Sequence, residues 1–411
     1  MEPKVYSLSE HQIAPDQIDT HAFYVIQKLK EAGHKAYLVG GGVRDLLLQQ
    51  KPKDFDVSTS AKPEEIRGIF RNAILIGRRF RLAHVRFGRK VIEVSTFRSG
   101  DTETADLIVR DNEWGTEEQD VLRRDFTING LFYDPESQEI IDYVDGYLDL
   151  EKRLLRTIGQ PEARFIQDPV RMIRLIKFCA RFQFEIDAPT FQALLNCKGD
   201  ILNSSSARVF EELLRMLESG ASRPFFHLLQ EYGLLQPLLP NLAEALQEKE
   251  IAEPTFRLLE ETDAEMKKQL GQPLDRALLL SVLLFPLFEI IIQHKSSRQP
   301  LHLGQIAELS HQLLDEVFSP FFQLPRRMRA ILSLILTAQF RILPLESRGQ
   351  KKLRAPLDPI FSMALHLFKW RAAVQPELLP TYTDWTEAMY QGAESPAPLP
   401  PRRRRRRRRR S

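Results

Sequence analysis

The sequence predicts an α+β protein, a small mixed-sheet head followed by an all-α neck and body. Three observations lead there. Between Tyr37 and Val144, short apolar runs alternate with glycine turns and short helical patterns, as strands interleaved with helices do. From Leu148 to about Tyr390, strand signals nearly vanish and helical periodicity takes over. The chain has 411 residues, 43% hydrophobic and 27% charged, which is enough for more than one core. The expected divisions are an N-terminal arm (1–20), the head (21–150), a helical neck (151–220), a helical body (221–393), and a proline-rich linker with a poly-arginine tail (394–411).

In chain order, Asp19 is positioned to cap a helix from Thr20, with Phe23, Val25, Ile26 and Leu29 as its apolar face and Gly33 as its stop. Tyr37–Val39 reads as a strand that halts at Gly40, Gly41 and Gly42. Glycine there permits a tight turn and close approach of backbone to a ligand. Arg44 and Asp45 open a short helix through Leu48, whose free N–H groups and dipole suit phosphate. Asp54–Val57 reads as a strand. Side chains two apart on a strand share a face, so Asp54 and Asp56 aim together while Phe55 and Val57 aim at the core. Two such carboxylates repel unless a cation joins them, and a hard divalent ion, Mg²⁺ above all, is the expected one. A solvated turn with two surface acids is the plainer alternative.

A helix follows Pro63, then a strand at Ile74–Ile76 and a hairpin turned at Gly88. Glu93 falls on the second hairpin strand, and on pattern alone it is a third site acid or an ordinary polar-face glutamate in equal measure. His84 has no second His or Cys at ligand spacing, which favours a structural role or an RNA or nucleotide contact over metal binding. Ser99–Trp114 reads as a mobile loop. Glu117–Leu122 is a short helix leading to the run Arg123–Asn129, where Arg124 can pair with triphosphate or sugar oxygens and Asp125 can accept from a ribose hydroxyl or help at the metal. Ile140–Val144 closes the head as a strand. In the neck, Asp168 is expected as an N-cap with Pro169 as first helical residue. Ile173, Ile176, Phe178 and Ala180 then serve the core, and Arg171, Arg174 and Lys177, three residues apart, share one face. A basic stripe that merely solvates the helix is the competing explanation.

Composition bounds the rest. Cys179 and Cys197 are the only two cysteines, which excludes a disulfide scaffold and a cysteine zinc site and fits a reducing cytoplasm. The N-terminus lacks the apolar core of a signal peptide. The apolar run Ala277–Ile292 carries Ser281, Pro286 and Glu289 and falls short of a membrane span, so a buried helix or helix pair is expected and stable membrane insertion is not. The net charge of +3 comes from Arg402–Arg410; without these nine arginines the balance is 49 basic against 55 acidic residues. That tail, here represented by Arg402, Arg406 and Arg410, repels itself and buries nothing, so it is expected to be disordered and to bind RNA by salt-dependent counterion release. An acidic membrane surface is a rival target.

The pattern GG-x-VRD followed by DxD resembles the nucleotidyltransferase superfamily in its bacterial poly(A) polymerase and tRNA CCA-adding branch, from about Tyr37 to Leu217. The resemblance implies that Arg123–Asn129 (RRDFTIN) is a second signature of the nucleotide site. It implies that Asp168 and Arg171 match a base-selecting motif written EDxxR, an acceptor and donors for the Watson–Crick edge, with Arg174 behind them. Gln167 stands where that motif commonly has Glu, which removes a supporting charge. The implied activity is template-independent transfer of AMP from ATP to RNA 3′ ends. Asp54 and Asp56 would hold two Mg²⁺ ions, with Asp125 or Glu93 assisting, while Gly41 and Arg44 meet the triphosphate and Arg124 the sugar or phosphate. The runs KPKDFDV and GRRFRLAHVRFG and the arginine tail look more like the poly(A) polymerases than the CCA-adding enzymes. CCA addition, and a non-catalytic RNA-binding protein on a decayed head, are the alternatives. Expected partners are RNA 3′ ends and ATP, with RNA-decay or RNA-chaperone proteins as further candidates.

Overall fold

The computed structural model describes residues 2–77, 82–100, 113–268, 274–343, 353, 355–356 and 358–394, the side chains of 392–394 excepted. The linker, the arginine tail, most of the Ser99–Trp114 loop and most of the Arg348–Arg354 segment therefore lie outside the described residues. The chain divides into two compact units, Met1–Met216 with Pro224–Leu238, and Leu217–Arg223 with Leu239–Ser411.

The first unit is built on an eight-stranded sheet. Its strands are Lys4–Tyr6 (β1), Ala36–Val39 (β2), Asp56–Thr59 (β3), Ala73–Ile76 (β4), Leu82–Phe87 (β5), Lys90–Thr96 (β6), Leu131–Asp134 (β7) and Glu139–Asp142 (β8), in the order β1-β8-β7-β2-β3-β6-β5-β4. β3 and β6 run parallel and every other pair is antiparallel, so the sheet is mixed, as expected. The N-terminal arm does more than trail: Lys4–Tyr6 pairs with Asp142–Ile140 and completes one edge.

Helix α1 (Thr20–Glu31) starts where Asp19 Oδ1 accepts from the backbone N–H groups of His21 (2.9 Å) and Ala22 (3.2 Å). Its buried face is Ala22, Val25, Ile26 and Leu29; Phe23 points out, because the i, i+3, i+4, i+7 stripe begins one residue earlier than expected. α1 and α3 (Pro63–Ile69) pack on one face of the sheet. α2 (Gly41–Leu47) and α4 (Glu117–Leu122) frame the site described below. The neck follows as α5 (Pro161–Gln167), α6 (Val170–Phe182), α7 (Ala188–Cys197) and α8 (Ser206–Leu217).

From 249 on, the described regular structure of the second unit is all helix, with α9 (Lys249–Lys268), α10 (Arg276–Ser296), α11 (Leu303–Phe318), α12 (Arg326–Ile342), α13 (Pro359–Val374) and α14 (Leu379–Glu394). α10 corrects the length expectation. It is one continuous helix of 21 residues, long and apolar enough to cross a membrane by length and composition, because Asp275 caps it before the apolar run and the helix continues past Ile292. Two thirds of its most apolar stretch (67%) is buried inside the protein. Arg371 of α13, 4% exposed, donates to Glu289 of α10 (2.7 Å) and to Gln339 of α12 (3.2 Å), with its guanidinium 4.0 Å from the ring of Phe285. This clamp ties three helices together.

Candidate active site

A cavity of about 920 Å³ opens between the sheet and the neck helices of the first unit. Gly41, Arg44, Asp54, Asp56, Arg124, Asp125, Asp168, Arg171 and Arg174 all line it, together with Glu93. Residues from 41 to 174, chosen by motif, thus meet around one space.

The turn at its floor depends on glycine. Gly40 has φ +65°, and a Cβ there would stand 3.4 Å from Arg124 Nη1; a Cβ on Gly42 would stand 3.2 Å from the Asp54 carbonyl oxygen. Helix α2 begins at Gly41, so two of the glycines form its first turn and do not merely precede it. The close passage of Asp54 over Gly42 also corrects the expected strand. Pairing with β2 begins only at Asp56, opposite Val39, and Asp54 and Phe55 form a lead-in outside the ladder.

Asp56 lies beside Glu93 across the parallel β3–β6 pair. Burial, then the charges of Glu93 and Asp54, push its carboxyl up to about 6, and Arg124 only partly offsets them. Glu93 is half exposed and sits 3.4 Å (Oε1) from His84 Nε2 on β5. Among the described residues, no three His, Cys, Asp or Glu side chains are gathered into a metal cage.

A second set of acids lies at or just behind the seam of head and neck, and each is matched by arginine. Asp125, 8% exposed, accepts from Arg174 Nε (2.7 Å), Asn129 Nδ2 (3.0 Å) and the Phe126 N–H (2.9 Å). Burial works against its charge, but Arg174 and the Asn129 hydrogen bond outweigh it and hold Asp125 well below the usual carboxylate range. Asp120, fully buried in α4, accepts from Arg123 (2.6 and 2.9 Å) and Arg124 (2.8 Å), one helical turn on. Burial again acts upward, and the two arginines hold it below its ordinary value. Asp45 accepts from Arg44 Nε (3.0 Å) and Nη2 (2.6 Å) and from Arg181 (3.3 Å). Arg44 itself is 4% exposed, donates also to Asn129 Oδ1 (2.6 Å), and lies over the rings of Phe178 (5.0 Å) and Phe182 (4.8 Å). The residue expected on triphosphate is thus heavily engaged within the protein.

At the neck end, Asp168 is not an N-cap. It follows α5 with φ −146° and ψ 88°, and α6 starts two residues later. Pro169 keeps the residue before it out of the helical region. The Asp168 carboxylate is held by a bidentate pair from Arg208 of α8 (2.9 and 2.8 Å). Arg171 donates to the backbone carbonyls of Arg164 (3.2 Å) and Arg123 (3.0 Å). Gln167, 2% exposed, accepts from Arg164 Nη1 at 2.7 Å.

Comparison with known proteins places the chain in a family. A family profile described as "Poly A polymerase head domain" matches residues 36–156, and one described as "Probable RNA and SrmB- binding site of polymerase A" matches residues 183–246. Poly(A) polymerase I of Haemophilus influenzae is 35% identical over 406 residues, covering 95% of this chain and 89% of that protein. The chain belongs to the poly(A) polymerase family. As a member of it, the protein is a nucleotidyltransferase. The CCA-adding enzyme of Lactobacillus johnsonii is 37% identical over a shorter stretch, 53% of this chain and 55% of that protein. Among solved structures, the Bacillus stearothermophilus CCA-adding enzyme in complex with CTP matches with a TM-score of 0.67 and 26% identity, over 92% of this chain and 82% of that one.

Several residues of this family member's site escaped the motif reading. Asp120 carried a visible signal, a carboxylate three and four residues before two arginines on one short helix. Arg181, Arg208 and Glu212 carried none, since the partners that place them here are distant in sequence; Glu212, for example, accepts from Lys177 at 2.6 Å.

Proposed function

We propose that this nucleotidyltransferase is a template-independent poly(A) polymerase, adding AMP from ATP to RNA 3′ ends. The observation that carries this is one cavity lined both by the crowded acids Asp54 and Asp56 and by Asp168 and Arg171. The H. influenzae relative, matched along nearly its whole length, bears the same activity in its name.

Asp54 and Asp56 are the residues that would hold Mg²⁺. Their fit rests on Asp56 itself: a carboxyl pushed up to about 6 by burial and by two neighbouring acids is one that a cation would relieve. Two carboxylates with open space around them also suit an ion that takes most of its remaining ligands from water and phosphate. When bound, Mg²⁺ supplies the charge that favours a 3′ oxyanion and a leaving pyrophosphate. Glu93, beside Asp56, is the third acid, because Asp125 is already neutralised by Arg174. The Gly41 backbone and Arg124 face the triphosphate, while Arg44 acts one step back by holding the glycine turn to the neck. Asp168 and Arg171 read the adenine edge, and Arg174 fixes Asp125 behind them. The arginine tail adds sequence-independent affinity for RNA phosphates.

The test is extension of a generic RNA and of a tRNA lacking CCA, each with single nucleotides and Mg²⁺. Long ladders with ATP alone on the generic RNA are expected. Addition that needs CTP and stops after three nucleotides on the tRNA would replace this reading with CCA addition.

A further inference from the structure

The site as described accounts for the incoming nucleotide and leaves the RNA 3′ end without a seat. That end must bring its hydroxyl to the same acids while the neck side of the cavity is occupied. The sheet offers one other approach, from β3 outward through β6 and β5 to the edge strand β4.

The register of these strands lays two rows of side chains on the face that carries the acids. One row is Asp56, Glu93, His84, Ile74; the next is Ser58, Ser95, Leu82, Ile76. Alternation sends Ala83, Val85, Ile92 and Val94 into the core, all at most 1% exposed, and leaves this set on the opposite face, open from β6 outward and closed over only at Ser58. Ile74 and Ile76 are 44% and 40% exposed. Bare isoleucines on an edge strand invite unwanted pairing unless something covers them in use. Arg86, exposed and two residues beyond His84, points its cation along the same face. His84 joins the row to the acids through Glu93, 3.4 Å away.

We propose that this shelf is the subsite for the 3′-terminal nucleotide of the RNA primer. The base lies on the His84 ring and the isoleucines, the phosphate behind it meets Arg86, and the 3′-hydroxyl reaches the Asp56–Glu93 row. Strands spaced about 4.8 Å apart put His84 about 10 Å from Asp56, within one nucleotide's reach. His84 acts as a positioning residue, through Glu93 and through the base. The inference rests on the adenylyl-transfer reading above.

The experiment is steady-state extension of a short oligoribonucleotide by the full chain with ATP and Mg²⁺. Ile76→Asp and His84→Ala should each raise the KM for RNA about tenfold, the scale of one stacked base, and leave the KM for ATP unchanged. His84→Phe, which keeps a flat ring, should recover most of the loss. An oligoribonucleotide ending in 4-thiouridine should photocrosslink to β4 or β5. Ile76 is exposed on an edge, so its variant reports even if His84→Ala folds poorly. Unchanged KM for RNA in Ile76→Asp, or crosslinks confined to the neck helices, would overturn the shelf alone. A wild-type chain that adds no AMP would overturn the reading beneath it.

Discussion

The acids around the cavity fall into two regions that differ in how their charge is met. At the seam, Asp45, Asp120 and Asp125 each receive at least one arginine within 2.8 Å and are nearly inaccessible. At the sheet face, Asp54, Asp56 and Glu93 crowd one another, and Asp56 is driven up to about 6. The same side-chain chemistry serves opposite ends. Asp45 and Asp125 reach across to neck arginines and Asp120 fixes the head arginines beside them, whereas the crowded acids store a repulsion that a proton or an added cation would relieve. Motif reading ranked Asp125 with Asp54 and Asp56; the pairing pattern separates them.

The largest effect should come from breaking the unmatched set. Asp54→Ala or Asp56→Asn should cut AMP addition by on the order of a thousandfold, since several kcal/mol of charge stabilisation are lost with the ligand. RNA binding should persist. Metal-free stability should hold or rise in Asp56→Asn, because a repelled carboxylate has been removed. A fall in Tm with retained activity would place Asp56 in the scaffold and erase the distinction.

At the seam the outcome should reverse. Asp125→Ala leaves the Arg174 cation beside a void. Destabilisation of about 2 kcal/mol is expected, under the roughly 3–5 kcal/mol of a fully buried pair because Arg174 remains 31% exposed. Urea unfolding would measure it. Unchanged stability with lost catalysis would return Asp125 to the metal site.

Acid titration sharpens the same contrast with a smaller signal. Asp120 and Asp125 sit below their unfolded values, so their stabilisation is complete above about pH 4 and is lost as pH falls through the lower folded values. The stability gap between wild type and Asp120→Asn should therefore be full at pH 7 and narrow progressively below pH 4. A gap independent of pH would mean that Asp120 acts by packing and not by charge.

These differences show where the sequence was readable. The mixed sheet, the cap at Asp19, the Gly88 hairpin and the convergence of the site motifs rest on local patterns, and local patterns survive translation into structure. What failed to show was pairing over distance. Glu93 meets Asp56 only because β6 runs parallel to β3 after an intervening helix and hairpin, a register no window of sequence contains. Asp168 looked like a cap because Asp-Pro often starts a helix; instead Pro169 takes the position before α6, and the Asp168 carboxylate is held by Arg208, forty residues on. Arg44 looked like a phosphate ligand because its partners Asn129, Phe178 and Phe182 lie 85 or more residues away.

The smallest expected effect tests a buried seam arginine that has no carboxylate bonded to it. Arg164 is 1% exposed and makes its side-chain bonds to the Gln167 amide oxygen (2.7 Å) and to the carbonyls of Arg124 (2.7 Å) and Leu122 (3.3 Å), while its Nε has no partner. Burial, with help from the nearby Arg171 charge, pushes its guanidinium down to about 9. Gln167→Glu would put a carboxylate oxygen where the amide oxygen stands. A hydrogen bond between charged groups is worth roughly 1.5–3 kcal/mol, part of which is spent desolvating the new carboxylate, so a net gain of about 1 kcal/mol is expected. That corresponds to a Tm higher by about 3 °C. Because the Arg164 carbonyl accepts from Arg171, a firmer Arg164 should also hold Arg171 more tightly and raise the preference for ATP over CTP about twofold, near the resolution of competing-substrate assays. A drop in stability would mean that the seam tolerates no further acid at this point, and that its match of carboxylate to arginine is already complete with glutamine in place.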